Sequence, residues 1–496
     1  MWETTWAVFC LQHFVENAII TAVAVCQSEV LLEEITMAMT KDNVEMIHGY
    51  LEAITDVHLE ELIKIASQPS VSAQNVGVEE CCAMLMEMFT NIGMKAQILE
   101  SPTKPAVFAE LKSKQENVPT VLFYGHYDVQ PAEPLELWNT PPFRPTVIGD
   151  KLYGRGVADN KGQFMAHVMA VQSYMEVLGD VPVNVKFILD GEEESGSPSL
   201  PWIAEHNREL LQADIMYVSD GSMYSDTIPQ ITYGNRGVLS FDIDITTAET
   251  DNHSGNKGGV IENAAWQMVK LLSTMVDEDG HATIEGFYDT ITPISPAQQK
   301  MIEDLEFDPE TLCRLYGVKK LKHEDKFEFY RHLMFLPTLT INGITSGYGG
   351  DGSKTIIPCH AKAKIDIRLV QGQKGLDIYE KVKRHVEKVN PTAVLSEYSV
   401  MEASVTEPSL PIIMKIREAI KKAYDVEPVN MPLAGGSLPN YVFTDILNMP
   451  TISVPYGNPD ENNHAPNENF KLSCYFSGIH ATAQVLYELG TLTVES

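Results

Sequence analysis

Cysteine is scarce in this chain and never occurs with Cys-x-x-Cys spacing. The seven are Cys10, Cys26, Cys81, Cys82, Cys313, Cys359 and Cys474. So odd and scattered a set excludes a disulfide scaffold and a thiolate metal ribbon, and it fits a reduced, cytoplasmic setting. Positive charge is also short: 36 Lys and Arg stand against 68 Asp and Glu, a formal net charge of −32. Such a surface repels phosphate backbones, which excludes nucleic acid as a partner. Long apolar runs are missing as well. The stretch from Trp6 to Val25 is broken by Gln12, His13, Glu16 and Asn17, and no Lys or Arg precedes Lys41. It therefore lacks both the unbroken length of a membrane span and the basic start of a signal peptide, and no membrane partner is expected. Residues 1–40 read as an extension carrying a loosely amphipathic helix. Internal repeats and low-complexity linkers are absent too.

What is present is globular. A hydrophobic share of 44% and a charged share of 21% suit a soluble fold, and 496 residues exceed one core, so two domains are expected. The β-branched run from Val118 to Tyr124 reads as a buried strand ending at His126 and Asp128. Val183–Leu189 and Ile215–Val218 read the same way, ending in Asp190-Gly191-Glu192-Glu193-Glu194 and in Ser219-Asp220. Helical spacing lies between them, as at Phe164, Val168, Val171 and Met175. Apolar strands separated by helices predict an α/β fold with a large parallel sheet and a site along one edge. The style changes at residue 233. Leu239, Phe241, Ile243 and Ile245 alternate with polar residues, as in a half-solvated strand, and helix and strand patterns follow to about 404. We expect an inserted α+β two-layer domain over 233–404. It would split a large domain into 41–232 and 405–496.

Five residues of ligand type stand at strand ends and loops: His126, Asp159, Glu194, Asp220 and His464. A two-metal hydrolase needs a carboxylate bridging ions about 3.5–4 Å apart, with imidazole and further carboxylate completing each shell. Oxygen and imidazole donors without thiolate suit zinc first, and also manganese or cobalt. Glu193, beside Glu194, would then be the general base. His167, His360 and His480 fall inside helix or strand patterns and read as packing or surface residues.

Six short segments in order resemble the M20 metallopeptidases, among them the cytosolic non-specific dipeptidases and carnosinases. They are Gly125-His126-Tyr127-Asp128-Val129, Leu152 to Gly156, Asp159-Asn160-Lys161-Gly162, Glu193 to Ser197, Gly435-Gly436-Ser437-Leu438-Pro439 and Asn463 to Glu468. The resemblance implies that Asp159 bridges two divalent metals, with His126 and Asp220 on one and Glu194 and His464 on the other. It implies that Asp128 orients His126 and that Glu193 moves the proton. The inserted domain would be a lid and dimerisation domain. Its His253 would reach the partner subunit's site in a homodimer, while Thr355, Arg368 and Ser437 would hold the substrate's terminal carboxylate. The expected activity is dinuclear metal-dependent hydrolysis of dipeptides or short peptides with a free C-terminal carboxylate. An amidohydrolase acting on N-acyl amino acids, or a silent dimeric scaffold, are the alternatives. Two departures bear on this. Ala434 precedes the Gly-Gly-Ser where some relatives carry Glu, and Glu192 extends the glutamate pair to three, which leaves open a one-position shift of base and ligand.

Overall fold

The computed structural model of the protein describes residues 43–493, so the extension expected over 1–40 lies outside the described residues. Eight strands form the large sheet, in the order Lys95–Leu99, Ala106–Leu111, Asn184–Asp190, Thr120–His126, Ile215–Val218, Thr451–Ser453, Gln230–Thr232 and Val429–Met431. The parallel sheet expected from the sequence is its centre. The Thr120–His126 strand runs parallel to both its neighbours, and Thr451–Ser453 runs parallel to Ile215–Val218. Toward one edge the pairing turns antiparallel, where Ala106–Leu111 meets Asn184–Asp190 and Lys95–Leu99. Toward the other it does so at Ser453 and Thr232.

The central strands are apolar on both faces because both faces are covered. Val121 and Phe123 point into the larger core with Phe187, Tyr217 and the helices Val78–Ile92, Lys161–Leu178 and Leu472–Leu489. Leu122 and Tyr124 point the other way, against Ile188, Met216 and the helix Leu200–His206. Register brings the strand ends level: His126 pairs with Asp190, and Tyr124 with Val218. Three adjacent carboxyl ends therefore open onto one edge, the place where open α/β sheets carry their sites. Five cysteines lie among the described residues, and all are free. No described helix is long and apolar enough to cross a membrane.

The second core belongs to a separate sheet. Gly237–Thr246 pairs antiparallel with His360–Leu369, which pairs in turn with Thr338–Ser346. Burial alternates strictly along Gly237–Thr246, and helices Ala264–Ser273 and Gly375–Val389 cover the apolar face. The strand expected over Val394–Val400 is two short pieces, Val394–Leu395 and Ser399–Met401, both on Gly237–Thr246. Between Leu305 and Pro337 lie short helices, capped by Asp308 and Asp325 whose side chains accept from the first-turn amides.

Candidate metal centre

Asp159 is the hub of the site. Its Oδ1 lies 3.1 Å from His126 Nε2 and its Oδ2 lies 3.0 Å from His464 Nε2, so one carboxylate is divided between two imidazoles. Asp220 Oδ2 is 3.6 Å from the same His126 nitrogen, and Glu194 Oε2 is 3.1 Å from the same His464 nitrogen. Two three-residue groups result, His126–Asp159–Asp220 and Asp159–Glu194–His464, whose donor atoms lie within 4.8 Å of one another in each group. These donors fit a pair of divalent cations. All are oxygen or imidazole nitrogen, the set that suits zinc, manganese or cobalt, and His126 Nε2 is buried without a hydrogen-bond partner.

The electrostatics follow from packing three carboxylates and two imidazoles together. Burial alone would pull the His126 imidazole down, but Asp128, Asp159 and Asp220 hold it well above the usual histidine range. Hydrogen bonding to Asp159 and Glu194 lifts His464 to about 10. Burial also favours a protonated Asp159, yet the two imidazoles hold its carboxyl below the usual range. Glu193 is pushed well up by burial, and Asp220, Asp159 and Glu194 add to that.

Asp128 ties the strand end to the glutamate turn. Its main-chain oxygen lies 3.1 Å from His126 Nδ1, while its carboxylate accepts from the amides of Glu193 (3.0 Å) and Glu194 (3.2 Å) and from Ser72 Oγ (2.6 Å). An imidazole held at Nδ1 presents Nε2, which sets the tautomer available to a ligand. The same clasp separates the three glutamates. Glu192 turns away, accepting from Ser199 N (2.9 Å) and Thr103 Oγ1 (2.6 Å). Glu193 Oε2 comes 4.0 Å from His126 Nε2, and Glu194 accepts from Gln130 Nε2 at 2.9 Å beside His464. Of the three glutamates it is Glu194 whose carboxylate meets His464, at 3.1 Å.

Other expected residues stand apart from this cluster. Arg368 Nη1 donates to Ser437 Oγ at 2.8 Å, joining the small sheet to the Gly-Gly-Ser segment. His253 is exposed on the two-strand pairing Asn252–His253 with Ile356–Ile357, and exposed Thr355 immediately precedes the second of these strands. His253 Nδ1 accepts from Gly255 N at 3.0 Å, and among the described residues no hydrogen bond or ion pair joins it to Asp159 or its neighbours.

Two buried carboxyls of this region carry roles that motif reading misses. Glu468 is fully buried and accepts from Arg155 Nη1 (2.8 Å) and from the amides of Gly156 (3.0 Å), Ala158 (3.0 Å) and Asp159 (3.1 Å). It thereby sets the backbone that aims Asp159, and Gly156, at φ +82, provides the left-handed turn this wrapping requires. Glu461 sits beneath, its carboxyl pushed up to about 9 by burial and by Asp159, Glu468 and Asp220. It comes so close to Gly457 that a Cβ there would stand 2.0 Å from Glu461 Oε2. Glu468 closes the last of the resembled segments, but a glutamate between asparagines in a loop has no periodicity to mark it as buried. Glu468→Ala would leave three buried amides and Nη1 of Arg155 without an acceptor, at about 1–3 kcal/mol per orphaned donor. We expect divalent-metal affinity to fall by about 10–100-fold, as loss of a supporting partner generally does. Calorimetric titration of the metal-stripped protein checks this, with Glu468→Gln expected to recover part of the affinity. Unchanged affinity in the alanine variant would show that Asp159 needs no such support.

Comparison with known proteins places the chain among peptidases. A family model described as peptidase family M20/M25/M40 matches residues 122–488. The Beta-Ala-His dipeptidase of Rattus norvegicus is 33% identical over 402 residues, covering 79% of this chain and 81% of that protein. The Cys-Gly metallodipeptidase of Schizosaccharomyces pombe is 28% identical over 476 residues, covering 91% and 100%. Among solved structures, an M20 family metallo-carboxypeptidase from Sulfolobus solfataricus superposes with a TM-score of 0.83 at 32% identity, over 88% of this chain and 99% of that one.

Proposed function

As the chain belongs to peptidase family M20/M25/M40, a family of metallopeptidases, we propose that it is a cytoplasmic dinuclear dipeptidase. Its substrates would be dipeptides or short peptides with a free C-terminal carboxylate. The observation that carries this reading is the division of Asp159 between His126 and His464, with Glu193 alongside and outside both donor groups. His126 and Asp220 would hold one ion, Glu194 and His464 the other, and Asp159 both. When bound, the two divalent ions, zinc first and manganese or cobalt as alternatives, supply Lewis acidity to water and to the scissile carbonyl.

The chain's own groups do the rest. Glu193 takes the proton of the attacking water and hands it to the leaving amine, a general base that becomes a general acid. Asp128 keeps His126 in one orientation and the Glu193–Glu194 turn in register with it. Arg368, linked to Ser437, grips the terminal carboxylate, for which a planar guanidinium is suited. His253, exposed on the small-sheet domain, acts on the site of a second copy of the chain and stabilises the developing oxyanion, so the working form is a homodimer. The dipeptidase names of the relatives support the substrate class.

A substrate panel tests the reading. Metal-stripped protein refilled with zinc or manganese is expected to hydrolyse dipeptides, to leave N-acyl amino acids untouched and to sediment as a dimer. Turnover of N-acyl amino acids alone would replace the dipeptidase by an amidohydrolase. Full activity in a monomer would remove His253 from the mechanism.

A further inference from the structure

Beside the Arg368–Ser437 contact lies a cleft of about 330 Å³ at the base of the small-sheet domain. Its polar wall is made of Arg236, His281, Lys322, His323 and His332, and no aspartate or glutamate lines it. In a chain of net charge −32 that is a local reversal of sign. Apolar side chains, Leu333 and Leu339 among them, complete the wall.

The cleft and the proposed carboxylate grip share structure. Arg236 Nε donates to Gly435 O (3.0 Å), two residues before Ser437, and Leu333 packs against the same glycine. Thr338, on the cleft wall, pairs directly with Arg368 across the sheet. Arg236 is only 8% exposed and has no ion-pair partner among the described residues. Burial first, and then the neighbouring Arg368, lower its guanidinium to about 10, against the opposing pull of Asp366. The imidazoles of His323 and His332 stack at 3.7 Å. Carboxylates do approach these cations, Asp366 lying 3.8 Å from Arg368 Nε and Asp279 within 4.8 Å of His281. Asp277 lies 3.3 Å from His281, and Glu328 lies 3.7 Å from His332 while also paired with Arg331 at 2.9 Å. Lys322 donates to the main-chain oxygen of Asp279. The wall itself thus presents donors and positive charge around an apolar floor.

We propose that this cleft receives the side chain of the substrate's C-terminal residue and selects an acidic one, glutamate or aspartate. The inference rests on the peptidase reading above and deepens it. A glutamate side chain would lay its methylenes on the leucines and its carboxylate among Arg236, Lys322 and the histidines. A lysine would bring a third cation beside Arg236 and Arg368, where partial burial strengthens the repulsion.

The test uses the full-length, metal-loaded protein with Ala-Glu, Ala-Leu and Ala-Lys. We expect kcat/KM for Ala-Glu to exceed that for Ala-Lys at least tenfold. Lys322→Glu, a change at an exposed position, is expected to cut the Ala-Glu to Ala-Lys ratio at least tenfold. Lys320→Glu, which alters net charge equally but lies outside the cleft, should leave the ratio unmoved. Equal efficiencies for the three dipeptides, or a ratio indifferent to Lys322→Glu, overturn the assignment. Calorimetric titration with free glutamate and free lysine separates this failure from that of the reading beneath it. If no dipeptide were cleaved, the peptidase reading would fall, yet glutamate binding that weakens tenfold in Lys322→Glu would still support an acid-selective cleft. Absence of glutamate binding in a protein that cleaves dipeptides would end the acid-selective cleft and leave the peptidase reading standing.

Discussion

Glu193→Gln is expected to lower kcat for dipeptide hydrolysis by about 10²–10⁴-fold, the usual share of a general acid–base group. The substitution conserves volume and keeps a polar end but removes the proton acceptor. Glu193 belongs to neither donor group, and its Oε2 lies 4.0 Å from His126 Nε2. Its backbone is held by the Asp128 carboxylate through the amide, which glutamine retains. The variant should therefore bind as much metal as the parent protein and unfold at the same temperature while losing turnover. Single-turnover kinetics alongside elemental analysis would make the comparison. Full activity would remove Glu193 as the base, and loss of metal would make it a ligand instead.

The second large effect is expected at Asp159. Because its two oxygens face two different imidazoles, Asp159→Asn should weaken both ions together, whereas Asp220→Ala and Glu194→Ala should each weaken one. Elemental analysis after dialysis is expected to fall from two metals per chain to fewer than one in Asp159→Asn, and to near one in the other two. Activity should vanish in all three. A saturating ion also stabilises the fold, by about 4 kcal/mol at a thousand times its dissociation constant. The rise in Tm that zinc produces in the parent should accordingly be lost in Asp159→Asn. Retention of two ions there would mean that the carboxylate shared between His126 and His464 bridges nothing.

Much of this site is legible in the linear sequence because its parts are local. Val121 to Tyr124 is apolar on every residue, so it reads as a strand covered on both faces, and the donors that follow it must emerge at its end. The same holds at Leu189 and Val218. Motif order then brings in Asp159 and His464. Alternation along Leu239 to Ile245 marks a sheet with one solvated face, and the second sheet has that face. Pairing direction is another matter: nothing in Ala106–Leu111 distinguishes an antiparallel edge from a parallel interior, since both bury the same residue types.

The chain's local chemistry decides which segments become strands and helices and which of them end in carboxylate or imidazole, because periodicity and side-chain type act over a few residues. Only the folded arrangement assigns the three successive glutamates. Glu192, Glu193 and Glu194 are identical in sequence terms, and they part company because Asp128, from the loop after the Thr120–His126 strand, captures the amides of Glu193 and Glu194 while Ser199 and Thr103 capture the Glu192 side chain. Likewise Glu468 comes to aim Asp159 across more than 300 positions of chain, and Arg236 comes to stand beside Arg368. Hydrogen bonds and charge act through space at a few ångströms, and closure of the sheet, not neighbourhood along the chain, sets which groups come that near.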